Sequence, residues 1–445
     1  MERNLTTGSV FRTILYFALP YLLSYTLQTL YGMADLFIIG QFNGVEAITA
    51  VTNGSQIMHM LTVIIVGLAM GVTVTIGQAV GAGKRGEASG IVGNTIILFA
   101  SISVVLTAAL IINVKNIVRL VGVPTEAVDG TIQYLVVCFA GIPFITAYNV
   151  ISAIFRGMGD SKRPMYYIAV ACVANIVIDY VLIGVFGMGA LGAALGTTLS
   201  QTLSVIISLI AIIKTDTGLR LKKSDMSADR ALMSEILKIG VPVAVQDGCI
   251  QVAFIIITVI ANSRGLDDAA AVGIVEKIIS ALFIMPSSML ATVSALAAQN
   301  IGAGRQDRAS QTLWYATLMA LVYGVLVTVL VEFNTSTVVG WFTADVAVIT
   351  LGAQYISSYI TDCIFAGVHF SFTGYFAACG KSYIGFIHNI LAIALVRVPG
   401  SYLASLYYPD TLFPMGVAAP AGSLLSVLIC LAAYWILRRK THISR

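Results

Sequence analysis

Apolar residues run in blocks of about 20 or more along almost the whole chain, interrupted by short polar clusters. A helix rising about 1.5 Å per residue crosses roughly 30 Å of hydrocarbon in about 20 residues, so each block predicts a membrane-spanning helix. Twelve spans follow, near 13–39, 48–76, 91–113, 129–155, 165–186, 190–213, 235–261, 269–297, 309–332, 346–376, 383–405 and 416–437. The runs are too long for barrel strands and lack their alternation. The expected fold class is therefore an all-α polytopic membrane protein. Pro20, Pro143, Pro242 and Pro286 fall inside spans, where proline kinks a helix and frees backbone carbonyls.

The pattern is written twice. At a shift of 221 residues, Gln78-Ala-Val-Gly-Ala-Gly-Lys84 falls on Gln299-Asn-Ile-Gly-Ala-Gly-Arg305, and Gly159 with Ser161 falls on Gly380 with Ser382. Pro20 meets Pro242 at a shift of 222, and Met188-Gly189 meets Met415-Gly416 at 227. Six spans per half is an even number, so both halves start on the same side of the membrane. Parallel halves of this kind form one central cavity between two bundles in transporters, and rocking one against the other gives alternating access. The expected division is 1–213 for the first six-helix bundle, 214–232 for a charged linker and 233–445 for the second bundle.

Composition fits lipid as the solvent. Of 445 residues, 58% are hydrophobic and 10% charged, against about 25% charged in a soluble domain. Most Lys and Arg lie at the two ends and in the loops after even-numbered spans, while Lys115, Arg119 and Arg264 lie on the other side. The positive-inside rule puts both termini in the cytoplasm. The charge is spread over short loops, which disfavours nucleic acid as a partner. The N-terminal stretch has no cleavable signal pattern, and the six cysteines sit in or beside apolar runs, so no disulfide framework is expected.

Chemistry enters where charge interrupts the oil. Asp35, Asp179, Asp247, Glu276, Lys277, Asp362 and Arg397 fall inside spans, where an ionisable group costs at least ~2.5–3.5 kcal/mol and should face protein or water. Counting residues from the outer ends of their spans puts Asp35, Asp179 and Thr197 in one layer, roughly 6–11 Å below the outer surface. Asn175 precedes Asp179 by four and shares its helix face. Two carboxylates, an amide oxygen and a hydroxyl make a hard oxygen site that suits Na⁺, or a proton shared between like charges. The same shifts carry Asp35 to Ile256 or Ile257, Asn175 to Val396 and Asp179 to Gly400, so this site is expected once. In the second half the acids pair with Lys277 or Arg397 in a structural network, or they hold substrate or a second ion.

Other motifs lead away from catalysis. "AVGAGKR" at 79–85 lacks the first Gly and the Ser/Thr of a phosphate-binding loop, and no zinc-protease or nucleophile-elbow pattern occurs. An enzyme is not expected, nor a cofactor. In "RGMGDSK" at 156–162, Arg156 is expected to pair with Asp160 as part of a hinge or gate.

"ALP" at 18–20, Asp35, "RGMGD" at 156–160, "NIVID" at 175–179 and "GALGAALGT" at 189–197 resemble the multidrug and toxic compound extrusion (MATE) transporters. Within them, the bacterial branch that includes the DNA-damage-inducible-type proteins is similar. The resemblance implies two six-helix bundles and export of organic cations in exchange for Na⁺ or H⁺. It also implies ion-site roles for Asp35, Asn175, Asp179 and Thr197. Residues similar to the acidic positions of another branch are Asp247 and Asp362. Candidates to face the substrate cavity are Gln28, Tyr31, Met33, Met58, Asn149, Asp247, Gln251, Phe283, Met285, Tyr355, Tyr359 and Asp362. Aromatic faces attract cations and Met adapts to irregular shapes, which favours flat lipophilic cations. A monomer in the cytoplasmic (inner) membrane, surrounded by lipid, is expected. The alternative is a flippase for a lipid-linked saccharide, which would need a basic cavity for phosphate.

Overall fold

The computed structural model describes residues 5–214 and 223–443, so 215–222 of the expected linker lie outside the described residues. No strand occurs among the described residues. The helices of the first half are α1 Val10–Phe42, α2 Val45–Gly81, α3 Arg85–Val121, α4 Val128–Ala140, α5 Ile142–Gly157, α6 Lys162–Asp179 and α7 Gly189–Lys214. The second half has α8 Arg230–Asn262, α9 Leu266–Leu282, α10 Ile284–Gly302, α11 Gln306–Glu332 and α12 Thr335–Gly340. It continues with α13 Val346–Tyr359, α14 Asp362–Ala378, α15 Ser382–Ala392, α16 Val398–Tyr407 and α17 Phe413–Ile443. Single π-helical turns, Tyr180–Val185 and Ile393–Arg397, interrupt the fifth and eleventh expected spans.

Ten helices among the described residues are long and apolar enough to cross a membrane. Counting Thr125–Ala140 with Ile142–Gly157, which bend by 48°, as one span gives 11. The remaining expected span, near 346–376, is built from α13 and α14, of 14 and 17 residues. Each is too short to cross by itself. The breaks at Gly141 and at 360–361 fall at corresponding places in the two halves. A third break, at Phe283, has no counterpart, because α2 runs unbroken through the matching region. Pro20 and Pro242 lie within continuous helices, whereas Pro143 opens α5 and Pro286 lies two residues into α10.

The sequence repeats fold into the same turns. Gly83 ends the turn after α2 at φ 74°, and Gly304 ends the one after α10 at φ 71°. Lys84 N donates to Ala79 O at 3.0 Å and Arg305 N donates to Asn300 O at 2.8 Å, the six-residue closure of a helix C-terminus. Gly159 and Gly380 play the same part after α5 and α14, at φ 90° and 69°. Only glycine enters that region without a steric cost, which explains why these positions recur in both halves.

The chain divides into two compact units, Met1–Leu5 with Tyr16–Gly240, and Thr6–Leu15 with Val241–Arg445. In the first, α2 packs on α4 and α5, and α6 on α7. Its core includes Ile39, Val51, Leu135, Phe139 and Ala194 in one cluster and Val72, Ile76, Phe155 and Ile168 in another. In the second unit, α10 packs on α14, and α9 packs on α13 around a core that includes Ala261, Val275, Ile356, Tyr359 and Leu412. One sequence expectation is corrected here. Asp160 pairs with Arg163, at 3.3 Å, and accepts from the backbone N–H of Lys162 and Arg163. It therefore caps the start of α6, as a carboxylate does at any helix N-terminus. Arg156 instead lies over the Tyr21 ring, 5.0 Å from its centroid.

Candidate functional site

In the first unit, α1 supplies Asp35, α6 supplies Asn175 and Asp179, and α7 supplies Gly196 and Thr197. The four side chains are 4%, 0%, 0% and 8% exposed for Asp35, Asn175, Asp179 and Thr197. Thr197 Oγ1 donates to Asp35 Oδ2 at 3.3 Å, and Asn175 and Asp179 stand beside the same carboxylate. Tyr31 and Cys138 complete the surroundings. Asp179 is seated against bare backbone: a Cβ at Gly196 would stand 1.7 Å from Asp179 Oδ1. No side chain larger than hydrogen fits at 196 with Asp179 in this position. The π turn Tyr180–Val185 begins at the residue after Asp179, a disruption that recurs at functional positions in helices.

The hydrogen-bond account of this site does not close. Asp35 Oδ1, both amide atoms of Asn175 and both carboxylate oxygens of Asp179 are buried and have no partner. Two adjacent carboxylates are acceptors only, so neither can satisfy the other. Their charges also repel in a medium of low dielectric, and a bound proton or a small cation relieves both deficits at once. The donors are all oxygen, and no group of three or more His, Cys, Asp or Glu able to hold a metal occurs among the described residues. The set fits Na⁺ or H⁺ and is unsuited to a soft transition metal.

The second unit builds a different cluster. Tyr355 and Tyr359 on α13 donate to the two carboxylate oxygens of Glu276 on α9, at 3.2 and 3.4 Å. Arg397 Nη2 donates to the Tyr359 hydroxyl, so Tyr359 bridges the guanidinium to the acid. Arg397 also stacks over the Phe254 ring, 4.6 Å from its centroid, a cation–π contact. Asp362 lies beside Arg397, while Lys277 is exposed and takes no part. Asp247 on α8 is half-buried and stands apart from this cluster.

The MatE family profile matches residues 20–181 and 242–403, once in each half. The chain belongs to the MatE family. A probable multidrug resistance protein of Bacillus subtilis, YoeA, is 26% identical over 98% of this chain and 96% of its own. The probable multidrug resistance protein NorM of Thermotoga maritima is 24% identical over 95% and 93%. A MOP-superfamily transporter from Pyrococcus furiosus superimposes with a TM-score of 0.92 at 21% identity, over 99% of this chain and 98% of that one. This MatE protein is an integral membrane transporter and not an enzyme.

The substrate-cavity candidates separate by environment in this MatE chain. Tyr31 belongs with the Asp35 site. Met58, at 7% exposed, packs in the core of the first unit, and Asn149 turns its amide back to Ile145 O at 2.8 Å. Tyr355 and Tyr359 are fully buried on Glu276, and Asp362 is buried beside Arg397. Gln28, Gln251, Phe283 and Met285 are half-buried, and Met33 is 62% exposed. Gly196 was not among the expected site residues, although its place one residue before Thr197 was a usable signal. The link from Glu276 to two tyrosine hydroxyls had no such signal, because the partners lie about 80 residues away.

Proposed function

We propose that this chain is a secondary active antiporter that exports lipophilic organic cations across the cytoplasmic membrane in exchange for Na⁺ or H⁺, by alternating access. The observation that carries the reading is the set of unpartnered oxygens on Asp35, Asn175 and Asp179. A site that needs a positive charge to balance itself binds and releases that charge once per cycle. Ions entering down their gradient then drive the export of a second solute. The relatives' names as probable multidrug resistance proteins support organic compounds as that solute. Asp35 and Asp179 carry the charge in this reading, Thr197 orients Asp35 through its hydroxyl, and Asn175 offers an amide oxygen to the ion. Both termini face the cytoplasm, consistent with the Lys and Arg of the even loops, and the chain acts as a monomer built from halves 1–213 and 233–445.

The test is ethidium efflux from proteoliposomes under separately imposed Na⁺ and pH gradients. Efflux that follows one gradient and stops when it collapses is the expected result. Equal efflux with no ion gradient would remove the antiport reading.

A further inference from the structure

The exposed residues of a helix show which medium its outer face meets. On α3 they include Ile96, Val104, Val105 and Ile112, an apolar surface suited to lipid. α2 differs. From residue 48 to its end at Gly81, its exposed residues are Thr52, Gln56 and His59, and all three are polar. Spacings of four and three put them on one face. Ala50 and Gly54 turn the other way, against Gly130 and the Tyr134 ring of α4. His59 lies about 21 Å along the axis from the start of α2 at Val45, well inside a hydrocarbon layer of roughly 30 Å. Thr52 turns its hydroxyl back to Ile48 O at 2.8 Å. Gln56 and His59 make no hydrogen bond, ion pair or ring contact among the described residues. Protein atoms nonetheless crowd round the imidazole, as they do in a recess. A free imidazole and a free amide at that depth need water in front of them. The second unit repeats the pattern by itself. The shift of 221 carries Gln56 to Lys277 and His59 to Ser280, and beyond residue 270 the exposed residues of α9 are Lys277, Ser280 and Ala281.

We propose that Thr52, Gln56 and His59 form a water-facing wall of the solute's path, and that His59 takes one proton there and so lowers the affinity for an organic cation. An imidazole in contact with water changes charge between about pH 5 and 8. The elements packed on α2 are α3, α4, α5, α7 and the turn Thr125–Ala127. Their titratable groups within the span are Tyr134 and Cys138 on α4 and Tyr148 on α5. Arg85, Glu87, Lys115, Arg119, Glu126, Asp129, Arg156 and Lys214 lie towards the helix ends. None of them pairs with His59, so no acid of the protein competes for its proton. His59 is thus a proton acceptor separate from Asp35 and Asp179, reached directly from water. Like charges sharing one recess repel, so a protonated His59 and a bound cation weaken each other reciprocally. Protons of an acidic medium then help to push the solute off into that medium. This consequence rests on the cation-export reading; the proton site does not.

The experiment measures binding of radioactive tetraphenylphosphonium, whose charge does not change with pH, to the purified full-length chain in detergent at about pH 8 and pH 5.5. Triphenylphosphine oxide serves as the neutral analogue. Acidification weakens cation binding in the parent, and in His59→Gln this loss should be smaller by about threefold or more. His59→Lys carries the charge at both pH values and should bind the cation weakly at both. The neutral analogue should bind all three alike. An equal loss on acidification in the parent and in His59→Gln overturns the proposal, and so does an equal change for the neutral analogue. His59 is exposed, so neither substitution disturbs packing. A second measurement separates this outcome from the fate of the export reading. In the chain labelled with carbon-13 histidine, the resonance that disappears in His59→Gln should shift between about pH 5 and 8. If the parent binds no tetraphenylphosphonium at either pH, the cation reading fails, and this titration alone decides the proton site. A His59 resonance that does not shift overturns the proposal in every case.

Discussion

Asp179 and Gly400 hold corresponding positions in the two halves, and their neighbours differ in kind. Asp179 lies against Asp35 with neither carboxylate met by a cation of the protein. Gly400 is packed against Ala418, where a Cβ would come within 3.1 Å, and the positions matching Asp35 are Ile256, which is exposed, and Ile257, which is fully buried in the hydrophobic core. The second half keeps its acids elsewhere, the half-buried Glu276 and the buried Asp362, and Arg397 joins the first of them through the Tyr359 hydroxyl. Duplication has thus given two bundles with the same turns and opposite electrostatic solutions. The first sets two buried carboxylates together with no cation of the protein against them among the described residues, and the second sets Arg397 among its acids and tyrosines.

The largest effect should come from removing charge in the first half. Asp179→Asn and Asp35→Asn should each lower ion-driven ethidium efflux by about a hundredfold or more, while yield and melting temperature hold or rise. Neutralising one acid removes repulsion between two buried carboxylates, so folding does not suffer. Efflux at the unmodified rate in either variant would break the contrast between the halves.

Gly196→Ala tests the same contrast through shape. The new methyl would stand 1.7 Å from Asp179 Oδ1, so either α7 or the Asp179 side chain must move. Overpacking of this kind costs about 1–3 kcal/mol, and ion-dependent efflux should fall about tenfold or more. Gly400→Ala, with its 3.1 Å approach to Ala418, should be milder and leave the ion dependence of efflux unchanged. Thermal unfolding and efflux of the two variants, compared side by side, check both statements.

Much of this contrast was legible in the sequence, and the reason is chemical. Asp35, Asn175 and Asp179 are polar residues in apolar runs, and counting depth along straight helices was enough to bring Asp35 and Thr197 to one level. They meet at 3.3 Å. The breaks at Gly141 and Phe283 were not legible, because apolar residues flank both sides and hydropathy does not change across a bend, and the one at 360–361 was read through although Ser358, Thr361 and Asp362 surround it. Nor could the cavity-facing residues be told from core. A helix apolar around its whole circumference gives no face to read, so Met58, Tyr355 and Tyr359 were named for a cavity and lie packed inside. The choice of Arg397 over Lys277 as partner of the acids depended on rotation about the helix axis, which spacing to other charges does not fix.

In the second half, Tyr359→Phe should act on stability more than on coupling. The hydroxyl joins Arg397 to Glu276, and hydrogen bonds to charged groups contribute about 1.5–3 kcal/mol. The melting temperature should drop by a few degrees, and the ion concentration for half-maximal efflux should stay where it was. Tyr355→Phe removes a single bond to Glu276 and should cost less. A shift in ion dependence with no loss of stability would move the coupling role into the second half.

The smallest expected effect belongs to Thr197. Its hydroxyl donates to Asp35 Oδ2 at 3.3 Å, the long end of hydrogen-bonding distance, so its energetic share is modest. Thr197→Ala takes away that donor and leaves both carboxylates in place. A single neutral donor contributes about 0.5–1.5 kcal/mol, which is roughly a two- to tenfold change in an equilibrium constant. The direction depends on the ion. Against Na⁺ the hydroxyl oxygen is itself a ligand, so its loss weakens binding and raises the Na⁺ concentration needed for half-maximal efflux. Against H⁺ the hydroxyl favours the ionised carboxylate, so its loss makes Asp35 easier to protonate and lowers the proton concentration needed. Thr197→Ser keeps the hydroxyl and should match the parent in both assays. A raised Na⁺ requirement or a lowered proton requirement would therefore identify the coupling ion from one variant, and no shift under either gradient would place Thr197 outside the ion site.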